Sequence, residues 1–430
     1  MSFYNIIQKW NNFNFDDYIK KTNPDEVHKV INKKELTAED FLTLLSPAAE
    51  KHLEKMARKS HQLTVQNFGK IIFIYAPLYL ANYCVNQCSY CGFNAENDIP
   101  RKKLSLDQVK KEAEAVVNKG IKHILILTGC SRKHSPVSYI KDSIEVIKNY
   151  FSSISIEVYA LTTDEYETLI EAGAIGLTIY QEVYNEKVYD KVHLTGPKKN
   201  YLFRLNAPER GCQAGMRKVN IGPLFGLDNW RKEAFLAGLH ARYLQDKYLE
   251  TEISISLPRL RPHPGNFRPE SPVNDSSLVQ IMLAFRLFLP RIGINISTRE
   301  SSELRDNLLP LGVTKFSAES TTAVGGYTSE KGTNQFDISD NRNVNTVKKM
   351  LLKIIEILEW ELNKREDETS RNKIKEAIDA IESLQEHELD LVKESGLDIY
   401  RIEAFGSDLV IAHDKEEALH LYVDIIGETD

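Results

Sequence analysis

The sequence has little net charge, no long apolar run and no basic leader segment, and each absence excludes a class of protein. Its formal net charge is −6 over 430 residues, which argues against nonspecific binding to nucleic acid or acidic lipid. No apolar run approaches the ~18 residues of a membrane span, and the first residues lack the charged and apolar regions of a signal peptide. We therefore expect a soluble, cytoplasmic protein with neither a nucleic-acid nor a membrane partner.

Cysteine is also scarce. Only five are present, an odd number, and Cys130 and Cys212 stand alone. This pattern does not indicate a disulfide framework. In a reducing compartment all five would remain thiols, available for binding metal.

The other three cysteines lie within one short stretch, YCVNQCSYCGF, as Cys84, Cys88 and Cys91. A structural zinc site would need a fourth ligand, usually from a second short pair, and the sequence contains none. A redox CxxC would leave Cys84 unexplained. Three buried structural thiols are a further alternative. The spacing CxxxCxxC with an aromatic residue, Tyr90, before the last cysteine favours a [4Fe–4S] cluster with one open iron, as in the radical S-adenosylmethionine (SAM) enzymes.

The rest of the chain alternates apolar strands with amphipathic helices. A helix is predicted after Ser105, a plausible N-cap, and another ends at Gly173. Buried parallel strands joined by helices indicate a (β/α)8 TIM-like barrel. The strand segments that can be identified are KIIFIYAPLYLANYC, HILILTG, SIEVYAL, GLTIYQE, SISLPRL, INISTRE and VTKFSAES.

Polar residues recur where these strands end, and in such barrels that rim carries the active site. They are Gly129-Cys130, Gln181-Glu182, Arg259, Arg299-Glu300 and Glu319. We predict three regions: an N-terminal helical lead-in over 1–70, the barrel over 71–345, and a charged C-terminal appendage over 346–430. The appendage is predicted to contain two amphipathic helices, then a short strand and a helix.

Several motifs, in this order, resemble the aromatic amino-acid lyase branch of the radical SAM enzymes, in particular the ThiH-type tyrosine lyases (2-iminoacetate synthases) of thiazole biosynthesis. The resemblance extends from about Phe3 to about Val347. The motifs are YAPLYLANYCVNQCSYCGFN, IYQEVYNEKVY, HLTGPKKNYLFRL, GPLFGL, SLPRLRP, STRES and SAES-TTAVGGY.

The resemblance implies roles for individual residues. The three clustered cysteines would bind the [4Fe–4S] cluster, whose open iron chelates SAM. Tyr90 would pack against the adenine and Gly129 would belong to the SAM site. Glu182 would hold the SAM ribose or amino group, and Arg204 its carboxylate. Tyr79, Ser297 and Arg299 would hold the amino acid substrate; the alternative for Tyr79 is a core aromatic.

The resemblance also implies a reaction. A 5′-deoxyadenosyl radical would take a hydrogen from the amine of L-tyrosine, whose Cα–Cβ bond then breaks. The products would be 2-iminoacetate and p-cresol, with 5′-deoxyadenosine and methionine, and the 2-iminoacetate would enter the thiazole moiety of thiamine. A ThiG-like thiazole synthase and a reductant of the flavodoxin or ferredoxin type are the implied partners.

Two departures from the family pattern keep alternatives open. Cys130 stands where the family has glutamate in its TGE motif, and residues 346–430 do not resemble the short C-terminus of the tyrosine lyases. The alternatives are a lyase of another aromatic amino acid such as tryptophan, a HydG-like tyrosine lyase without a second cluster, and a cluster-carrying scaffold. Residues 213–430 contain no cysteine, which argues against HydG chemistry, since HydG holds its second cluster with C-terminal cysteines.

Overall fold

A computed structural model describes residues 2–69, 71–329, 332–362, 398–401 and 409–412 of the chain. Eight parallel strands follow one another around a closed barrel, and the first pairs with the last. This confirms the predicted (β/α)8 architecture. The strands are β1 (Phe73–Ala81), β2 (His123–Thr128), β3 (Ser153–Glu157), β4 (Gly176–Thr178), β5 (Lys218–Ile221), β6 (Glu252–Ser256), β7 (Gly293–Ile296) and β8 (Lys315–Ser317).

Strand β5 is absent from the strands predicted by the sequence. It has only four residues, and Asn220 interrupts its apolar pattern. The side chain of Asn220 is buried, where its amide donates to the Ser256 hydroxyl at 2.8 Å and its carbonyl accepts from the Asn295 amide at 3.0 Å. The barrel interior is therefore partly polar, and this hides β5 from an argument based on apolar periodicity.

Helices separate the strands and form the outer layer of the barrel. Ser105 caps its helix with a capping box, as predicted, and Gly173 ends another. These helices are α6 (Leu106–Val117), α7 (Val137–Ile147), α8 (Thr163–Ala172), α9 (Glu186–Val192), α10 (Tyr201–Leu205), α11 (Ala207–Gln213), α12 (Trp230–Lys247), α13 (Asp275–Phe288) and α14 (Ser302–Leu308), with short 3-10 helices at Pro197–Lys199 and Leu309–Leu311.

The N-terminal region is helical and packs on the outside of the barrel. Phe41 stacks on Phe288 with ring centroids 4.3 Å apart, and the buried Gln280 amide donates to the carbonyls of Leu44 and Ser46. The lead-in therefore shares the barrel's hydrophobic core. Its helices are α1 (Phe3–Trp10), α2 (Phe15–Lys21), α3 (Pro24–Ile31), α4 (Ala38–Leu44) and α5 (Leu53–Phe68), with a 3-10 helix at Pro47–His52.

Beyond the barrel, the structure describes helix α15 (Val344–Leu362) and two antiparallel strands, β9 (Asp398–Arg401) and β10 (Leu409–Ala412). The first predicted helix of the appendage and its predicted strand correspond to α15 and β10, whereas β9 was not predicted. The second predicted helix and the final helix lie outside the described residues. No helix in the described ranges is both long and apolar enough to cross a membrane.

A strap formed by residues 332–340 runs from the end of the barrel back across its carboxyl-terminal rim. The amide of Ser339 donates to the Thr298 carbonyl at 2.8 Å, and the amide of Asp337 to the Pro262 carbonyl at 2.9 Å. The strap ends at Asp340, whose buried carboxylate pairs with the fully buried guanidinium of Arg305. A buried ion pair therefore fixes the end of the strap to the barrel.

We expect Asp340→Asn to destabilise the protein by about 3–5 kcal/mol, because it leaves the buried Arg305 charge without its counterion. The free energies of unfolding of the wild type and of Asp340→Asn are measured by anaerobic denaturant titration. Asp246→Asn, at an exposed position, is the control and should change the free energy of unfolding by less than about 0.5 kcal/mol. An Asp340→Asn protein as stable as the wild type would contradict the structural importance of this pair.

Candidate active site

The carboxyl ends of the barrel strands open into a cavity of about 450 Å³. Its walls are formed by the loops after β1, β2 and β3, by the segments after β4, β5, β6 and β7, and by the strap. All the site residues predicted from the sequence line this cavity except Ser297. They are Tyr79, Cys84, Cys88, Tyr90, Cys91, Gly129, Glu182, Arg204 and Arg299.

The loop after β1 carries the three clustered cysteines, which together form part of one wall. All five cysteines of the chain are free thiols. Burial raises the pKa of Cys88 to about 12, although Lys198 acts in the opposite direction. No three Cys, His, Asp or Glu side chains in the described ranges already converge at metal-ligand distances. The assignment of Cys84, Cys88 and Cys91 as ligands therefore depends on their position in one loop and on the affinity of thiolates for iron.

Amide donors reach two of the sulfurs. The Asn86 side chain donates to Cys84 Sγ at 3.8 Å, and the Gln335 side chain, on the strap, donates to Cys91 Sγ at 3.6 Å. Hydrogen bonds of this kind stabilise a thiolate and influence the potential of an iron–sulfur cluster. The three thiols in a partly enclosed, amide-lined pocket fit a [4Fe–4S] cluster.

Close backbone contacts hold the cysteine loop in place. A Cβ atom at Gly129 would lie 2.3 Å from the Tyr83 carbonyl oxygen, and one at Gly92 would lie 2.4 Å from that of Gln335. Neither distance is sterically possible for a side chain, so both positions require glycine. Gly129 therefore lets the end of β2 approach the cysteine loop directly.

The motif HLTGPK holds the other side of the loop. The amides of Gln87 and Leu194 bond to the carbonyls of Thr195 and Gln87 at 3.1 and 3.0 Å. The Asn86 side-chain oxygen accepts from the Lys198 amide at 2.9 Å. The sequence identified this motif but gave no reason for it, and the structure shows that it pairs with the cysteine loop.

Tyr90 lines the cavity, and its hydroxyl lies 2.7 Å from Nε2 of the fully buried His193. The other ring nitrogen of His193 lies 2.8 Å from the Tyr189 carbonyl oxygen. Burial lowers the pKa of His193 to about 3, so the ring is neutral, donates from Nδ1 to the carbonyl and accepts from Tyr90. His193 thereby fixes the orientation of Tyr90. Sequence reasoning missed this role because His193 lies about a hundred positions from Tyr90.

Glu182 lies in a charged cluster with Lys198 and Arg204. Its carboxylate is 2.6 Å from Lys198 Nζ and 3.7 Å from an Arg204 nitrogen. Burial acts to raise the pKa of Glu182, but Lys198 and Arg204 outweigh it and the net shift is downward, so Glu182 is ionised. Its backbone has φ of +70°, a strained conformation for glutamate of the kind found at functional sites. Lys198 was not predicted as a site residue.

The predicted substrate residues lie on the β1 and β7 sides of the cavity. The Tyr79 hydroxyl donates to Gln335 at 2.8 Å. The guanidinium of Arg299 stacks on Phe336, 3.4 Å from the ring centroid, and pairs with no carboxylate in the part of the chain that the structure describes. Ser297 lines a smaller adjoining pocket of about 70 Å³, which Tyr79 and Arg299 also border.

Other polar residues at the rim have structural partners instead. Arg259 pairs with the buried Glu300 and, at 2.7 Å, with Asp275. Glu319 pairs with Lys119 and accepts from the Val344 amide at 3.1 Å. Arg259, Glu300 and Glu319 lie at strand ends, as Arg299 does, so position alone does not identify a site residue. They differ from Arg299 because each of them is in an ion pair.

Two more residues of the cavity bear on its chemistry. Glu157, the last residue of β3, borders both the cavity and the adjoining pocket. Glu157 is not among the polar strand-end residues predicted from the sequence, because it lies inside the predicted strand SIEVYAL and not at its end. Cys130 also lines the cavity, and its carbonyl accepts from the Val85 amide at 2.9 Å. The residue that departs from the family pattern is thus beside the cysteine loop.

Comparison with known families gives two matches. Residues 78–237 match the Radical SAM superfamily, and residues 256–354 match the Biotin and Thiamin Synthesis associated domain. The first contains the cysteine loop, and the second begins in β6 and extends into α15.

Named relatives and solved structures agree with these matches. The chain is 38% identical over 344 residues to a 2-iminoacetate synthase of Escherichia coli, covering 79% of this chain and 91% of that protein. For the Salmonella typhimurium protein of the same name the identity is 37%, with the same coverage. A crystal structure of HydG, a maturase of the [FeFe]-hydrogenase, matches with a TM-score of 0.76 and 31% identity over 80% of this chain and 78% of that one. The chain therefore belongs to the radical SAM family and, within it, to the group of the 2-iminoacetate synthases.

Proposed function

We propose that this protein cleaves the Cα–Cβ bond of L-tyrosine to give 2-iminoacetate and p-cresol, for the thiazole moiety of thiamine. The geometric observation that supports this most is that a single cavity contains the three clustered thiols, the ionised Glu182 and the unpaired guanidinium of Arg299. This cavity can therefore hold a cluster with its bound SAM close to an amino acid substrate.

The cofactors are those of the radical SAM family, a [4Fe–4S] cluster and SAM. When bound, they supply a 5′-deoxyadenosyl radical that takes a hydrogen atom from the substrate amine. We assign the cluster to Cys84, Cys88 and Cys91.

Charge complementarity supports the assignment of the SAM-binding residues. Glu182 is the acceptor for the amino group or ribose of SAM, and its two cationic neighbours keep it ionised. Arg204 donates through Nε to the Tyr180 carbonyl at 2.8 Å, which leaves donors at its two terminal nitrogens for a carboxylate. Tyr90, fixed by His193, offers its ring to the adenine.

We assign the substrate carboxylate to Arg299. Stacking on Phe336 holds the guanidinium plane while leaving its edge free, and that edge can bind a carboxylate with two parallel hydrogen bonds. Tyr79 and Ser297 complete this side of the site. The chain's task is to keep the amine close to the reactive centre and to exclude water and other hydrogen donors.

Partners and location follow from the same chemistry. Iminoacetate hydrolyses readily, so a ThiG-like thiazole synthase is the expected recipient, and a flavodoxin or ferredoxin would supply the electron. These reactants and free thiols point to the cytoplasm. HydG-type processing of the cleavage fragment is not part of this proposal, because residues 213–430 contain no cysteine for a second cluster.

The proposal is tested by anaerobic incubation of the reconstituted protein with SAM, dithionite and each aromatic amino acid separately. We expect p-cresol and glyoxylate, the hydrolysis product of 2-iminoacetate, from tyrosine, together with 5′-deoxyadenosine. Cleavage of tryptophan in preference to tyrosine would replace this proposal by a tryptophan lyase. Bound cluster without any SAM cleavage would replace it by a cluster carrier.

Replacing any one of the three clustered cysteines by alanine should remove the visible absorption of the cluster and all SAM cleavage, because each supplies one of three thiolates. Cys212→Ala is the control, since Cys212 lies in α11 and does not line the cavity; it should keep both properties. A fully loaded cluster in Cys88→Ala would show that the ligand assignment is wrong.

Arg299→Leu should keep the cluster and SAM binding but lose about 2–5 kcal/mol of substrate binding or positioning, or roughly 30-fold and upward in kcat/KM. Arg299→Lys should restore little, because an ammonium cannot reproduce the planar fork. Misplaced substrate should also yield 5′-deoxyadenosine in excess over p-cresol, so both products are quantified. Wild-type efficiency with a wild-type product ratio would exclude Arg299 as the clamp.

A further inference from the structure

Of the two carboxylates among the described residues that line the cavity, Glu182 is assigned to SAM and Glu157 has no role in the assignments above. It ends β3, and its side chain borders both the main cavity and the smaller pocket that contains Ser297. Tyr79 and Arg299, the two assigned substrate residues of the main cavity, border the same two spaces. Glu157 therefore lies where the substrate's polar end is expected.

The Glu157 carboxylate has no hydrogen-bond or ion-pair partner among the residues that the structure describes. Other enclosed carboxylates do have partners. Glu182 pairs with Lys198 at 2.6 Å, Glu233 accepts from the amide of Tyr184 at 2.7 Å, and Glu112 accepts from two backbone amides, at 2.9 and 3.0 Å. Glu157 is half-buried and faces the cavity. A partly desolvated carboxylate without a partner is costly, and a ligand in the cavity can supply the missing donor.

The charges around Glu157 indicate which donor is suited to it. Burial raises the pKa of Glu157 to about 7, and Arg299 is the charged neighbour that opposes this most. Glu182 also raises the pKa of Glu157, whereas Arg204 and Lys198 lower it. The tyrosines that face this carboxylate, at positions 75, 79 and 180, all have raised pKa values because of burial, so they remain neutral.

An α-amino acid carries its carboxylate and its ammonium group on one carbon atom. A guanidinium and a carboxylate that border the same two spaces can bind both groups at once. We propose that Glu157 binds the α-ammonium group of the substrate whose carboxylate Arg299 holds, and that it accepts one proton from that group. This proposal rests on the proposed function.

The proton transfer balances within the pair. An N–H bond of the ammonium breaks, its electron pair stays on nitrogen, and an O–H bond forms on Glu157. The products are a neutral amine and a neutral carboxylic acid, which a poorly solvated cavity favours over two separated charges. The substrate then presents the neutral amine, from which the proposed reaction removes a hydrogen atom.

The test is a binding experiment without turnover. Cluster-loaded protein, with SAM and no reductant, is titrated anaerobically with tyrosine and with 3-(4-hydroxyphenyl)propanoate, which lacks only the amine. Glu157→Gln should weaken tyrosine binding by about tenfold or more, and leave binding of the des-amino acid unchanged or tighter. Glu167→Gln, at an exposed position of α8, is the matched control and should change neither. Titration with SAM alone should be the same for all three proteins.

The outcomes separate this inference from the proposed function. Failure of the wild type to bind or cleave tyrosine would overturn both. If the wild type binds and cleaves tyrosine, equal tyrosine affinity in Glu157→Gln would overturn the ammonium contact alone. Equal weakening of both ligands would assign Glu157 to the phenol or to cavity shape instead. Loss of SAM affinity in this variant would assign it to the cofactor.

A pH series adds a second readout. Pairing with the ammonium needs ionised Glu157, so wild-type affinity for tyrosine should fall as the pH is lowered through about 7. Affinity for the des-amino acid should not fall over the same range. Glu157→Gln should remove the difference between the two ligands, and a difference that persists in this variant would overturn the proposal.

Discussion

Closure of the barrel by the pairing of β1 with β8 is the constraint on which the rest of the structure depends. It places the start of β1 beside Lys315 and Phe316, some 240 positions later in the chain. The loop after β1 and the strap after β8 consequently meet at the same rim. There Gln335 of the strap contacts both the Tyr79 hydroxyl and the Cys91 sulfur. The cysteine loop, although local in sequence, therefore acquires its surroundings only when the barrel closes.

The sequence predicts the features that depend on local patterns of residues. The cysteine spacing predicts the cluster loop, and the alternation of strands with capped helices, as at Ser105 and Thr163–Ala172, predicts the barrel. The family resemblance implies roles for nine of the residues that line the cavity. The predicted strands generally extend past the observed ones: the sequence predicts one strand over INISTRE, whereas β7 ends at Ile296. Residues such as Arg299 consequently lie in rim loops, which is where a site is built.

The rest depends on contacts between distant segments or on the absence of contacts, and a single sequence shows neither. Lys198 and His193 become relevant because HLTGPK pairs with the cysteine loop. Glu300 and Arg259 carry the same chemical groups as Glu157 and Arg299, yet they bind each other. The sequence does not show whether a glutamate is paired, so only the structure distinguishes the unpaired Glu157 from the paired Glu300.

The balance of charge in the cavity explains why Glu157 and Arg299 can remain without an ion-pair partner in the part of the protein that the structure describes. Among the described residues that line it, six are cationic (Arg132, Lys133, Lys198, Arg204, Arg261 and Arg299) and two are carboxylates, Glu157 and Glu182. Three thiolates and the carboxylates of SAM and an amino acid would offset this excess of positive charge. With Cys130 in place of the family glutamate, the cavity contains one carboxylate fewer than the family pattern implies. Each remaining carboxylate therefore matters more to the two ammonium groups that SAM and the substrate bring. In the proposed assignment Glu182, held by Lys198 and Arg204, serves SAM, and Glu157 serves the ammonium group of the substrate.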